Sequence, residues 1–144
     1  MTRINGTIPP RKLLDQHLVA EYREIFMVGS SLQRSLKSKS WDIKSIPQRY
    51  TLNKGHVKFF YNKGKYLSNR YDELRKEMKS RGMNPDSSRV FKREQWPDEL
   101  WNEWMPLVED YKIIRQRIEE KIRMKPDWYR FTKKERSKLK PNQG

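Results

Sequence analysis

Between Gln16 and Met27 the chain sets Gln16, His17, Ala20, Arg23, Glu24 and Met27 at intervals of one, three and four residues. On a helix turning ~100° per residue these side chains fall within a fan of roughly 120°, opposite Leu14, Leu18, Ile25, Leu32 and Leu36. One face packs, and the other presents polar groups around a small alanine. A solvated helix face has the same pattern, so both readings stand at this point. Glu21 projects toward the edge of the apolar face, which suits a structural hydrogen bond or ion pair.

The amino terminus is a second source of chemistry. Thr2 is small enough for Met1 to be removed in the cell, which exposes a free α-amine beside Arg3. Such an amine titrates near ~7.7–8.0 and a lysine near ~10.4, so at neutral pH it has roughly several hundredfold more of the nucleophilic neutral form. Nearby arginines lower its pKa further by like-charge repulsion. Any intracellular chain beginning Met-Thr has this option, so the feature is not specific by itself. Gly55 and Gly64 form no phosphate loop, no dinucleotide fingerprint occurs, and His17 and His56 do not stand at metal-ligand spacing. The absence of cysteine excludes a disulfide framework, a thiolate zinc site and a cysteine nucleophile. No cofactor and no metal are expected.

These groups need elements to position them. The 144 residues suit one small domain, and with 33 Lys and Arg against 18 Asp and Glu its formal charge is +15. Only 34% of residues are hydrophobic, but 5 Trp, 7 Tyr and 5 Phe suffice for a compact core. The longest strictly apolar run is Ile25-Phe26-Met27-Val28, and the start lacks the apolar stretch of a secretory signal, so a soluble, intracellular protein is expected. At this charge a polyanion is the default partner, nucleic acid ahead of an anionic membrane surface.

Apolar spacing predicts a first helix over Leu14 to Leu36. A second is predicted over Lys65 to Arg81, with Leu67, Leu74 and Met78 as its stripe and Gly82 as a left-handed cap. A third runs from about Leu107 to Arg123, with Leu107, Tyr111, Ile114, Ile118 and Ile122 in register and Pro126 stopping it. The stretch from Ser38 to Lys63 reads as an irregular connection with an extended piece at Val57 to Tyr61. Asn84 to Ser88 reads as a turn-rich loop, and Trp96, Trp101 and Trp104 staple the last connection onto the core. The fold class is all-α: a compact single domain of three main helices with long irregular connections. It spans residues 1–131. Residues 132–144 are expected to form a flexible basic tail, since the last 24 residues carry nine Lys or Arg and no apolar period survives past Phe131.

Met1-Thr2-Arg3-Ile4-Asn5, followed by Asp15 to Glu24 (DQHLVAEYRE), resembles the amino-terminal signature of the phage endonuclease V family. These are pyrimidine-dimer DNA glycosylases with abasic-site lyase activity. Gly55 to Tyr61 (GHVKFFY) is a second match, and Arg117 to Ile122 leading into Lys125-Pro126-Asp127-Trp128-Tyr129 is a third. The blocks come in family order and near family spacing, so the likeness covers roughly residues 1 to 131.

The resemblance implies a compact all-helical monomer whose first helix crosses close to the amino terminus, acting on double-stranded DNA with pyrimidine dimers or abasic sites. It also implies a phage protein working in a bacterial cytoplasm. Carried over, the Thr2 amine attacks the anomeric carbon of the 5′ nucleotide of a dimer, and Glu24 stabilises positive charge on the sugar and later helps remove the proton whose loss breaks the strand. Arg3, Arg23, Arg117 and Lys121 match positions that bind phosphates or shape the site, beside Gln16 and His17. Trp128 and Tyr129 match an aromatic segment near the dimer, although capping the third helix against the core fits them equally. This chain departs from the pattern at Ile25-Phe26-Met27, where many members have Leu-Pro-Arg, and at Phe131-Thr132, where a Tyr-Tyr pair is usual. Two other functions stay open: a noncatalytic basic nucleic-acid-binding module, and an abasic-site lyase that has lost dimer selectivity.

Overall fold

Buried side chains recur every three or four residues along Asp15–Leu36, the longest helix (α1), and Leu18, Tyr22, Ile25, Val28 and Leu32 form its inner face. The computed structural model describes residues 4–129 apart from Asn53 and Ser87. Thr2, Arg3 and the expected tail at 132–144 therefore lie outside the described residues. A 3-10 turn at Pro10–Lys12 leads into α1, and Arg81 holds this entrance by donating to the carbonyls of Pro10 and Leu13 and to the Asp15 carboxylate.

Gly64–Ser80 (α3) packs along α1 through Leu67, Tyr71, Leu74 and Met78. Its start is set by a close approach: a Cβ on Gly64 would lie 2.7 Å from the rings of Trp96 and Trp101. Its end is set by Gly82, the expected left-handed cap, at φ +83°. The Met83 amide reaches back to the Met78 carbonyl at 2.9 Å and the Gly82 amide to that of Lys79 at 3.0 Å, which satisfies the last carbonyls of the helix.

The extended piece expected at Val57 to Tyr61 is helical instead. His56–Phe59 is a short helix (α2) that passes into a 3-10 turn at Phe60–Asn62. The β-branched and aromatic residues there have strand propensity, but His56, Phe59 and Phe60 are all buried. That spacing of three and four reaches one core from one side only if the backbone is helical, and tertiary burial overrides the local preference. Phe59, Phe60, Tyr50 and Trp104 form an aromatic cluster, with Tyr50 stacked on Trp104 at 5.7 Å and Phe60 edge-on to Trp104 at 5.4 Å. Trp96 and Trp104 are buried and Trp101 half-buried, as the stapling reading expects.

Val108–Met124 (α4) begins where the Asp110 carboxylate accepts from the Leu107 amide at 2.8 Å. Its buried arc is narrower than the apolar stripe expected. Ile114 is fully buried and Ile118 and Ile122 half-buried, whereas Leu107 and Tyr111 are exposed. The arc centres on Asp110, Ile114 and Arg117, so Tyr111 faces away and Leu107 overhangs the core at the helix start. All the regular elements among the described residues are helical, and none of their helices is long and apolar enough to cross a membrane.

Candidate active site

The polar face of α1 floors an open groove of about 620 Å³. Gln16, His17, Ala20, Arg23 and Glu24 come from α1, Arg117 and Lys121 from α4, and Trp128 and Tyr129 from the segment after it. The described site residues of the sequence reading thus converge from positions more than a hundred residues apart. Met27, which the helical wheel placed in the same fan, is exposed and does not line the groove. Asp15, Val19 and Met83 line it without having been expected there. Met83 owes its place to the Gly82 cap, which turns the chain back along α3.

His17 is 7% exposed, and neither ring nitrogen has a hydrogen-bond partner among the described residues. Its ring stacks on Tyr129 at 4.5 Å. Burial, followed by the Arg117 cation, lowers its pKa to about 4, with the Glu21 carboxylate opposing and Lys121 adding to the effect. The imidazole is therefore neutral at physiological pH. Gln16 Nε2 donates to the Trp128 carbonyl at 2.6 Å, so two adjacent residues of α1 tie down the Trp128-Tyr129 segment. Trp128 itself is 57% exposed beside the groove, a position that does not cap α4 against the core.

The amino-terminal segment is held by side chains from every quarter of the fold. The Ile4 amide donates to His56 Nε2 at 2.9 Å, and the Ile4 carbonyl accepts from the Tyr50 hydroxyl at 3.1 Å. The Asn5 amide donates to Glu21 Oε1 at 3.1 Å, and Arg70 donates to the carbonyls of Asn5 and Ile8. Tyr66 donates to the Gly6 carbonyl at 2.8 Å. From α4, Arg117 donates to Asn5 Oδ1 at 2.9 Å, which links the groove wall directly to this segment. Glu21 is the structural ion pair its position on the wheel suggested: Arg70 Nε meets Glu21 Oε2 at 2.6 Å, with both side chains buried. Each charge compensates the other, and the backbone groups that a non-helical segment leaves unpaired take up their remaining bonds.

Sequence reasoning missed Asn5, Tyr50, His56, Tyr66 and Arg70 as a set. Asn5 and His56 lay inside the quoted family blocks, but nothing in their local spacing shows that they meet. Arg70 carried one signal, a lone cation on the apolar stripe of α3, which implies a buried acidic partner.

Fold and groove together define a class: a small helical protein whose groove combines the carboxylates of Asp15 and Glu24 with several cations suited to a phosphate backbone. The model of the pyrimidine dimer DNA glycosylase family matches residues 1–90. The chain belongs to that family, and DNA is its substrate. The matched residues contain Thr2, Arg3, Gln16, His17, Arg23 and Glu24 and end before Arg117, Lys121, Trp128 and Tyr129.

Proposed function

We propose that this protein excises the 5′ base of ultraviolet-induced cyclobutane pyrimidine dimers through an imine on its own amino terminus, and then nicks the strand as an abasic-site lyase. Removal of Met1 leaves the Thr2 amine as nucleophile. Its nitrogen bonds to C1′ of the 5′ nucleotide of the dimer, and the C1′–base bond breaks with its electron pair leaving on the base. The nitrogen's lone pair then expels O4′ as the C1′–O4′ bond breaks, the proton lost from the amine passes to O4′, and C1′ becomes an imine in the opened sugar. Loss of a proton from C2′ then expels the 3′ phosphate oxygen, and water hydrolyses the imine to regenerate the amine.

Glu24 is the assigned acid–base group. A carboxylate stabilises the cationic sugar in the first step and takes the C2′ proton in the second. Arg3, Arg23, Arg117 and Lys121 are assigned to the phosphates, with Gln16, His17, Trp128 and Tyr129 shaping the side that meets the lesion. Residues 1–131 are read as one catalytic unit, because α4 supplies a wall to the groove that α1 floors, and 132–144 as an added source of phosphate attraction.

The observation that carries this reading is the anchoring of Ile4 by His56 of α2 and of Asn5 by Glu21 of α1, while Glu24 of α1 lines a cation-walled groove. Chain connectivity keeps the Thr2 nitrogen within ~7 Å of the Ile4 nitrogen. The test is borohydride trapping on oligonucleotides with one dimer or one abasic site. The processed chain is expected to form a covalent adduct with both, and a chain acetylated at its α-amine with neither. Equal trapping by the two chains eliminates the terminal amine as nucleophile. Binding without cleavage of either oligonucleotide would leave the noncatalytic module, and cleavage of abasic DNA alone the lyase without dimer selectivity.

A further inference from the structure

The hydrogen bond nearest the chain end among the described residues is the one between the Ile4 amide and His56. An amide nitrogen only donates, so His56 Nε2 is the acceptor. On the other side of the ring His56 Nδ1 lies 2.8 Å from the Thr51 carbonyl, which only accepts, so Nδ1 carries the proton. The two backbone partners fix the ring as a neutral imidazole in a single tautomer. It is 1% exposed, with Tyr50 edge-on at 5.4 Å and Phe60 edge-on at 5.5 Å, so water has no access to replace either bond.

The location of this bond gives it a role distinct from general stability. Ile4 is fully buried, and its carbonyl is held separately by Tyr50. The Asn5 amide and the carbonyls of Asn5, Gly6 and Ile8 are held by Glu21, Arg70 and Tyr66. Removal of the His56 acceptor therefore leaves the bonds to Asn5, Gly6 and Ile8 in place and takes away the bond to the Ile4 amide, the described hydrogen bond nearest the terminal amine. A reacting group misplaced by about 1 Å loses on the order of 10²-fold in rate.

We infer that His56 is a positioning residue for the terminal amine: its unprotonated Nε2 acts on the chain end through the Ile4 amide. This rests on the reading above that the terminal amine is the nucleophile.

The test compares His56→Phe, which keeps an aromatic ring without an acceptor, with His56→Gln, whose side-chain oxygen restores one. The readouts are the dissociation constant for an abasic duplex and the single-turnover rate of borohydride trapping at saturating duplex. His56→Phe is expected to trap at least about tenfold more slowly with affinity within about twofold of the wild type, and His56→Gln to recover most of the rate. A His56→Phe variant trapping at the wild-type rate overturns the role, as does a parallel loss of rate and affinity that glutamine does not relieve. Should His56→Phe fail to fold, nitrogen NMR of the wild-type imidazole decides. An Nε2 carrying no proton and coupled to the Ile4 amide supports the role, and a protonated Nε2 overturns it. The two readings separate in the wild type: a chain that cuts the strand without trapping refutes the amine nucleophile, whereas a trapping wild type matched by His56→Phe refutes His56 alone.

Discussion

His17 and Glu24 face the same groove but respond to different variables. His17 has a pKa lowered to about 4 against an ordinary value of 6.5. As pH falls below 6.5 the unfolded chain takes up this proton and the folded chain does not, so stability falls between 6.5 and about 4 and the contribution levels off below. A His17→Gln variant is expected to lose less stability over that window than the wild type, by on the order of 2 kcal/mol, in urea unfolding at pH 7 and pH 4. Glu24 belongs to the chemistry proposed for the groove. Glu24→Gln should bind a dimer-containing duplex within a few-fold of wild-type affinity and lose about 10²-fold or more in single-turnover cleavage. Undiminished cleavage would remove Glu24 from the acid–base role.

The elements meet around the Glu21–Arg70 pair, which joins α1 to α3 and braces the amino-terminal segment between them. Removing one partner leaves an uncompensated buried charge. Arg70→Met is expected to cost about 3–5 kcal/mol, and the Glu21→Gln, Arg70→Met double variant less than the sum of the two singles. Additive losses in denaturant unfolding would show that the two side chains are energetically independent. Close packing constrains the same segment at Gly6, where a Cβ would clash with the Tyr66 hydroxyl and sit 2.8 Å from the Trp104 ring. Gly6→Ala should cost about 1–3 kcal/mol, because Tyr66 must give up its bond to the Gly6 carbonyl. A variant as stable as the wild type would show that the segment has room to move.

For the molecule as a whole, a charge of +15 on 144 residues makes DNA affinity a steep function of salt. Lys121 sits exposed on the groove wall from α4. Lys121→Ala is expected to weaken binding to damaged and undamaged duplex alike and to lower the slope of log affinity against log salt by about one. An unchanged slope would place Lys121 off the phosphate path. Arg117 lies on the same wall, but its bond to Asn5 couples that wall to the amino-terminal segment. Arg117→Ala should therefore reduce the trapping rate as well as affinity, a combination that separates it from Lys121→Ala.

Three helices, the Gly82 cap and the polar fan from Gln16 to Glu24 were legible in the sequence by itself. Each depends on residues within a few turns of one another, where a 3.6-residue period and a left-handed glycine leave a local trace. The structural role of Glu21 was legible for the same reason, since its angle on the wheel places it at the margin of the apolar face. Only the tertiary structure decided that Val57 to Tyr61 is helical, because burial of His56, Phe59 and Phe60 in one aromatic core outweighs their strand propensity. It alone also decided that α4 turns Tyr111 to solvent and Arg117 to Asn5, and that His56, Tyr50, Glu21 and Arg70 converge on one short segment. Those contacts join residues separated by 16 to 112 positions, and periodicity carries no information across such distances.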